Sequence, residues 1–277
     1  MSQMYETAMD RPANAPRASL PLTPARRVAL ALGVPLCLVL IASTGFNLVA
    51  NLGRGTVSVN YAIPKSAGRL AVSLNGGDIL LRQAASGDQG SLTGTGTYSL
   101  VRPHVTHELS SAGVASFGYG CSIPFGDCGL NATVKVPAGT PVSVSTDGGN
   151  VTADGITGPA TLTTSGGDVT ATGVTGNLTV HTDGGNIQAS GVTAAQVSAS
   201  TSGGDITIVF TAVPTSVQVS TDGGDVTIVV PNGNTVYNAT AHTDGGSTSV
   251  SVPTNIRSHN VITATTAGGD ITIREAT

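Results

Sequence analysis

The sequence predicts an all-β chain: a single-stack β-solenoid of about 18–23 residues per coil, preceded by one transmembrane helix. Three observations carry this expectation. A Gly-Gly pair recurs seven times in the second half, with its first Gly at 148, 166, 184, 203, 223, 245 and 268. The segments between the pairs alternate apolar and polar residues with the period of a strand. Near the start, the run from Val28 to Ala50 carries no charge.

Composition narrows the field first. Charged residues make up 10% of the 277 and Gly supplies 37 of them, against roughly 25% and about 7% in an ordinary soluble domain. A typical soluble enzyme is thereby disfavoured. Twelve Lys+Arg against sixteen Asp+Glu leave a net charge of −4, which offers no cationic surface for nucleic acid.

Residues 1–27 contain Arg11, Arg17, Arg26 and Arg27 but no apolar period, so they read as a disordered tail. Residues 28–50 follow as VALALGVPLCLVLIASTGFNLVA, long enough at ~1.5 Å per residue to cross a ~30 Å hydrocarbon core. Arg26 and Arg27 abut the run, while only Arg54 lies close beyond it, which places the tail in the cytoplasm and the bulk outside. A cleaved signal peptide is the rival reading. Its n-region would be unusually long, and Leu48 stands where a cleavage site needs a small residue. The expected partner of this segment is therefore the membrane, crossed once.

Residues 51–140 form a degenerate β region. Cys121 and Cys128 enclose SIPFGD, and in an oxidising exterior two thiols so spaced most simply form a local disulfide; free thiols are the alternative. Tyr98, Phe117, Tyr119 and Phe125 supply four of the nine aromatic residues. An aromatic-bearing, disulfide-bounded loop on a rigid scaffold is a candidate recognition site, and a cap over the open end of the core is the competing reading.

Residues 141–277 hold the regular repeat. Each copy reads as two short strands around Gly148-Gly149, Gly166-Gly167, Gly184-Gly185, Gly203-Gly204, Gly223-Gly224, Gly245-Gly246 or Gly268-Gly269, with a second break such as Gly155-Ile156-Thr157-Gly158. Alternate residues collect one apolar face: Val142, Val144, Val151 and Ala153, then Leu162, Val169 and Ala171, and so on to Ile262, Ile271 and Ile273. The other face is Ser, Thr, Gln, Asn and His. An antiparallel meander would leave that apolar face uncovered, because no helical period follows residue 50 to cover it; a coil closes over its own core. A further pair, Gly76-Gly77, precedes Gly148 by four of the shortest repeat steps, which suggests a degenerate continuation between them.

A Thr stands two residues before the first Gly in all seven late copies, from Thr146 to Thr266. With inward parity, its hydroxyl is expected to bond the turn amides. The residue before Gly-Gly runs Asp147, Ser165, Asp183, Ser202, Asp222, Asp244, Ala267 and the residue after it runs Asn150, Asp168, Asn186, Asp205, Asp225, Ser247, Asp270. Over the first four copies the carboxylate switches sides at every step, which keeps like charges about two rungs apart. That dispersal, and the failure of G-G-x-G-x-D after its first two residues, argue against ordered calcium.

The search for chemistry finds no catalytic, cofactor or metal site. Beyond residue 50, eight basic residues face fourteen acidic ones, so a lyase that grips acidic sugars is disfavoured. His104 and His107 precede Glu108 without a distant third ligand, and His181 and His242, read as three coils apart, are too far from each other to share a metal. Thr152, Thr170, Thr207, Thr227 and Thr272 form an outward column that Gln188 and Ser249 interrupt; it reads either as a ligand-binding face or as ordinary exposed strand.

The phrase from Val134 to Thr140, the segment Val142 to Val151 and the copy at residues 163–169 resemble a bacterial β-strand-repeat family of unknown function labelled as adhesins. The resemblance covers nearly all of the chain after residue 57 and implies the fold, while supplying no catalytic residues. The expected function is a membrane-anchored, non-catalytic extracytoplasmic module acting in adhesion or envelope contact, with a cell-wall polymer or surface ligand as partner. The alternative is an envelope-stress sensor signalling through the tail. A third expectation is end-to-end self-association through an unpaired terminal rung at residues 271–274.

Overall fold

The computed structural model describes residues 54–99, 101–122 and 128–277. The expected tail and membrane helix, and Phe125 of the expected recognition loop, lie outside the described residues. Among the described residues there is no helix, hence none long and apolar enough to cross a membrane.

Short runs of Val, Ile and Thr with period two give short strands, and Gly-rich corners separate them. From residue 142 the chain alternates between two sheets: β8 (Val142–Thr146) and β9 (Val151–Asp154), β10 (Ala160–Thr164) and β11 (Val169–Thr172), β12 (Leu178–Thr182) and β13 (Ile187–Val192), β14 (Gln196–Thr201) and β15 (Ile206–Phe210), β16 (Ser216–Thr221) and β17 (Val226–Val230). Each pair is one coil. The even strands stack parallel and in register in one sheet, so that Val144, Leu162, Val180, Ala199 and Val219 line up, and the odd strands do the same in the other. This is a solenoid rather than a meander. Every residue expected on the apolar face of these coils is buried between the sheets.

The stack does not follow sequence order at its ends. β1 (Arg54–Ile63), β2 (Arg69–Leu74), β3 (Ile79–Gln83), β4 (Gly90–Ser99), β5 (His104–Leu109), β6 (Val114–Gly120) and β7 (Cys128–Val136) come first in the chain. β2 and β3 stack directly on β8 and β9, and β6 and β7 lie on the far side of β2 and β3. No coil therefore separates the Gly76 and Gly148 corners in the stack; between them the chain leaves, builds one coil on the far side of β2 and β3, and returns. β1 and β4 extend one sheet antiparallel beyond β7, and β5 extends the other beyond β6.

The other end repeats the device. β18 (Asn238–Thr243) and β19 (Thr248–Ser251) form the outermost coil, while β20 (Val261–Thr266) and β21 (Ile271–Glu275) insert between them and β16 and β17. The expected unpaired rung at residues 271–274 is thus paired on both sides, and the terminal rung is β18 and β19. Core content explains the order. Ile262, Ile271 and Ile273 are fully buried, whereas the matching positions of the outer coil hold Ala239, Thr248 and Val250, of which Val250 remains 39% exposed. A coil with a full apolar complement needs a neighbour on each side, and one built from small and polar residues tolerates water on its outer side.

Two sequence readings change with this order. His181 and His242 are four rungs apart, not three, and Ser249 ends the Thr column beyond Thr272 instead of interrupting it.

Candidate functional site

The Gly-Gly corners carry two hydrogen-bond ladders. In the first, six corner Thr bond both their own turn and a neighbouring coil, and Thr146 bonds the neighbouring Gly77 carbonyl. The Thr164 hydroxyl donates to the Gly149 carbonyl at 2.8 Å and accepts the Gly167 N–H at 3.2 Å, and Thr182, Thr201, Thr221, Thr266 and Thr243 repeat the pattern. The second Gly of each pair is required by that closeness. A Cβ on Gly167 would strike the Gly149 carbonyl, and one on Gly149, Gly185, Gly204, Gly224, Gly246 or Gly269 would strike the carbonyl of its counterpart one coil away. The first Gly is less confined: the nearest atom to a Cβ on Gly166 lies at 3.9 Å, and even the tightest, on Gly245, meets the Ala267 carbonyl at 3.2 Å.

The second ladder runs through the residue after Gly-Gly. Each Oδ1 accepts the backbone N–H of the equivalent residue in the next coil: Asn131 from Asp78 at 2.9 Å, Asp78 from Asn150 at 2.9 Å, Asn150 from Asp168 at 2.9 Å, and onward through Asn186, Asp205, Asp225 and Asp270 to Ser247. What the position demands is an acceptor, which Asp and Asn supply equally. Charge dispersal yields to that demand at this position, since Asp205, Asp225 and Asp270 stand on successive rungs. The hydrogen bonds from Ser247 N–H and hydroxyl hold the Asp270 carboxyl below its ordinary value of 3.8. Among the described residues no group of three His, Cys, Asp or Glu is placed to hold a metal.

Outward faces are coated with short hydroxyls. On the β8 to β20 sheet the column Ser143, Thr161, Thr179, Ser198, Gln218, Thr263 meets water, and on the opposite sheet Thr207, Thr227 and Thr272 stand consecutively. One polar row escaped the sequence reading because its members come from neighbouring coils: Ser200 Oγ lies 2.9 Å from His181 Nδ1, and His181 Nε2 lies 3.1 Å from Asp183 Oδ1. His181 and Asp183 are 48% and 62% exposed, so the water-excluded surroundings that make such a row reactive are missing.

The N-terminal end differs. Phe117 and Tyr119 are 5% and 2% exposed and pack in the core at this end of the stack, with an edge of Phe117 left to line the cleft described below. Their parity on β6 is inward, and Tyr119 takes the place in the stack that Thr holds in regular coils. Tyr98 is half-buried, with its ring over Gly55. Cys121 and Cys128 form a disulfide, with Cα atoms 6.1 Å apart, across the corner of the coil that lacks Gly-Gly. At this end of the stack, the Tyr61 ring packs tilted against His107 with centroids 4.3 Å apart and against Phe117 at 5.5 Å. An open cleft of about 140 Å³ lies between the two sheet edges here, walled by Tyr61, Ile63, Leu70, Leu92, Leu109 and Phe117, with His107 and Glu108 in its lining.

With in-register two-strand coils and Gly-Gly corners established, a family model described as Toastrack DUF4097 matches residues 42–274. The chain belongs to the Toastrack family. Solved structures similar to this Toastrack chain include a candidate adhesin from Bacteroides fragilis NCTC 9343, at 17% identity over 80% of this chain and 97% of that one, with a TM-score of 0.43. A candidate adhesin from Parabacteroides distasonis ATCC 8503 shares 13% identity over 80% and 97%, with a TM-score of 0.45. A candidate lipid-binding protein from the same strain shares 12% over 82% and 98%, with a TM-score of 0.40. No curated protein matches the chain.

For this Toastrack domain the expected turn residues Gly148 to Gly269 all fall at one edge of the stack, and the Thr ladder runs through the second Gly of each pair. The cleft was not legible, because its walls come from β1, β2, β4, β5 and β6, which meet only through the out-of-order packing.

Proposed function

We propose that this Toastrack chain is a membrane-anchored, non-catalytic module that presents its solenoid outside the cell, in adhesion or contact with the cell envelope. The observation that carries this reading is the register of the outward columns. Ser143, Thr161, Thr179 and Ser198 repeat at the ~4.8 Å strand spacing, a regular polyvalent hydroxyl surface suited to weak multiple contacts with a polymer. The turn polar groups are meanwhile engaged within the fold, which favours scaffolding over chemistry at that edge. The uncharged run at residues 28–50, with Arg26 and Arg27 before it, supports the anchor.

The test uses the full-length protein in detergent. Its binding to isolated cell-wall polymer and to whole cells is expected to exceed that of an unrelated acidic β-solenoid, and equal binding overturns the contact role. Retention in the membrane fraction after alkaline extraction is expected of the anchor; release into the supernatant overturns it.

A further inference from the structure

We infer that the N-terminal edge of the domain takes up an extended segment of another polypeptide as an added strand along β1, with one apolar side chain of that segment seated in the adjoining cleft. The two ends of the stack are built differently. At the far end β19 is four residues long and wholly exposed, and the acceptor ladder stops at Ser247, which offers no carboxylate or amide to a further coil. These features blunt an edge. At the near end β1 runs for ten residues in unbroken register with β4, has no Lys or Pro and, from Gly55 onward, pairs with no other strand among the described residues. Antiparallel geometry turns both N–H and C=O of every second residue away from β4.

Backbone donors and acceptors in that row are matched by an extended polypeptide; an acyl chain cannot satisfy them. The side-chain positions agree. Val57 and Tyr61 face the core yet stay half-buried at the edge, so a strand carrying apolar residues at alternate positions would complete their cover. The cleft opens beside the end of β1 and the residue after it, at 61–64, and Leu109 on the opposite edge strand is 47% exposed. Its volume of about 140 Å³ falls below the ~300 Å³ at which small-molecule sites begin and suits one aliphatic or aromatic side chain. This inference goes beyond the display role and does not depend on it, since the hydroxyl columns lie on the sheet faces rather than at this edge.

The experiment selects a phage-displayed library of random twelve-residue peptides on the full-length protein in detergent, then measures a synthetic copy of the most enriched peptide. The enriched peptides are expected to carry apolar residues at alternate positions and to protect backbone amides of residues 55–63, not of 248–251, from hydrogen exchange. Leu109→Asp should weaken binding about tenfold or more, and Val250→Asp at the opposite end should leave it unchanged. Replacing the peptide's apolar residues one at a time by Ser should give one position with the same loss, a readout that does not depend on the folding of any variant. Enrichment no greater than on an unrelated β-solenoid, protection elsewhere in the domain, or indifference to both Leu109→Asp and the Ser series overturns the inference. Protection of residues 55–63 that rises with protein concentration and needs no peptide assigns the edge to a second copy of this chain and likewise overturns it.

Discussion

Asp222 and Asp244 hold the same place in consecutive copies of the sequence, yet in the stack Ala267 lies between them. In sequence order their carboxylates would be one rung apart at ~4.8 Å; in the observed order they are two rungs apart, at roughly 10 Å. Read along the stack, the position before Gly-Gly runs Asn75, Asp147, Ser165, Asp183, Ser202, Asp222, Ala267, Asp244, and no two acids are neighbours. Ala267→Asp would put three carboxylates on successive rungs. The expected loss is about 0.5 kcal/mol at low salt, shrinking as salt screens the column; urea unfolding at two ionic strengths reads both.

The two glycines of a corner predict opposite outcomes. Gly166→Ala has room, with its nearest contact at 3.9 Å, and should change stability by no more than about 0.5 kcal/mol in either direction. Gly167→Ala drives its methyl into the Gly149 carbonyl and should cost about 3 kcal/mol. Thermal unfolding of the pair checks the asymmetry, and equal effects would contradict it.

Removing the Thr164 hydroxyl strands two buried backbone groups at once, the Gly149 carbonyl and the Gly167 N–H. Thr164→Val should cost roughly 2–3 kcal/mol, whereas Thr164→Ser keeps the hydroxyl and should recover most of that. A valine variant as stable as the parent would remove the ladder from the account of stability.

Asp270 gives a pH signature. Hydrogen bonds from the Ser247 N–H, and then from its hydroxyl, lower its folded value, so its contribution is present above the ordinary 3.8 and is lost as pH falls through the folded value. Asp270→Asn keeps the acceptor without the charge. Its unfolding midpoint should fall less steeply below pH 4 than that of the parent; superimposable acid limbs would show that this carboxylate does not contribute.

Tyr119 gives the converse at high pH. Burial first, and the Tyr98 phenol second, raise its value above 10.0. The stability this carries is complete below 10.0 and is lost as pH rises through the folded value. Its hydroxyl has no hydrogen-bond partner among the described residues. Tyr119→Phe should therefore be neutral or stabilising by up to about 1 kcal/mol at pH 7 and should soften the loss above pH 10, as denaturation at pH 7 and at pH 10.5 would reveal.

The direction in which each residue of the repeat faces was legible in the chain alone. Period-two alternation is local, because consecutive side chains of a strand must point to opposite faces; hence Val142, Leu162, Ile187 and Ile273 read as core, and Thr164 as an inward bonding group. The need for glycine at the corners was legible too, though the reason is the carbonyl of the next coil rather than the turn itself. Which coil lies on which was settled by packing. Stacking is non-local, and the identical spacing of every rung leaves sequence order no privilege over core content. Ile271 and Ile273 moved inward and Ala239 and Val250 outward because a full apolar coil is stable only with a neighbour on both sides. From that choice follows the separation of Asp222 from Asp244, and from the same out-of-order stacking at the other end follow the burial of Phe117 and Tyr119 and the cleft beside β1.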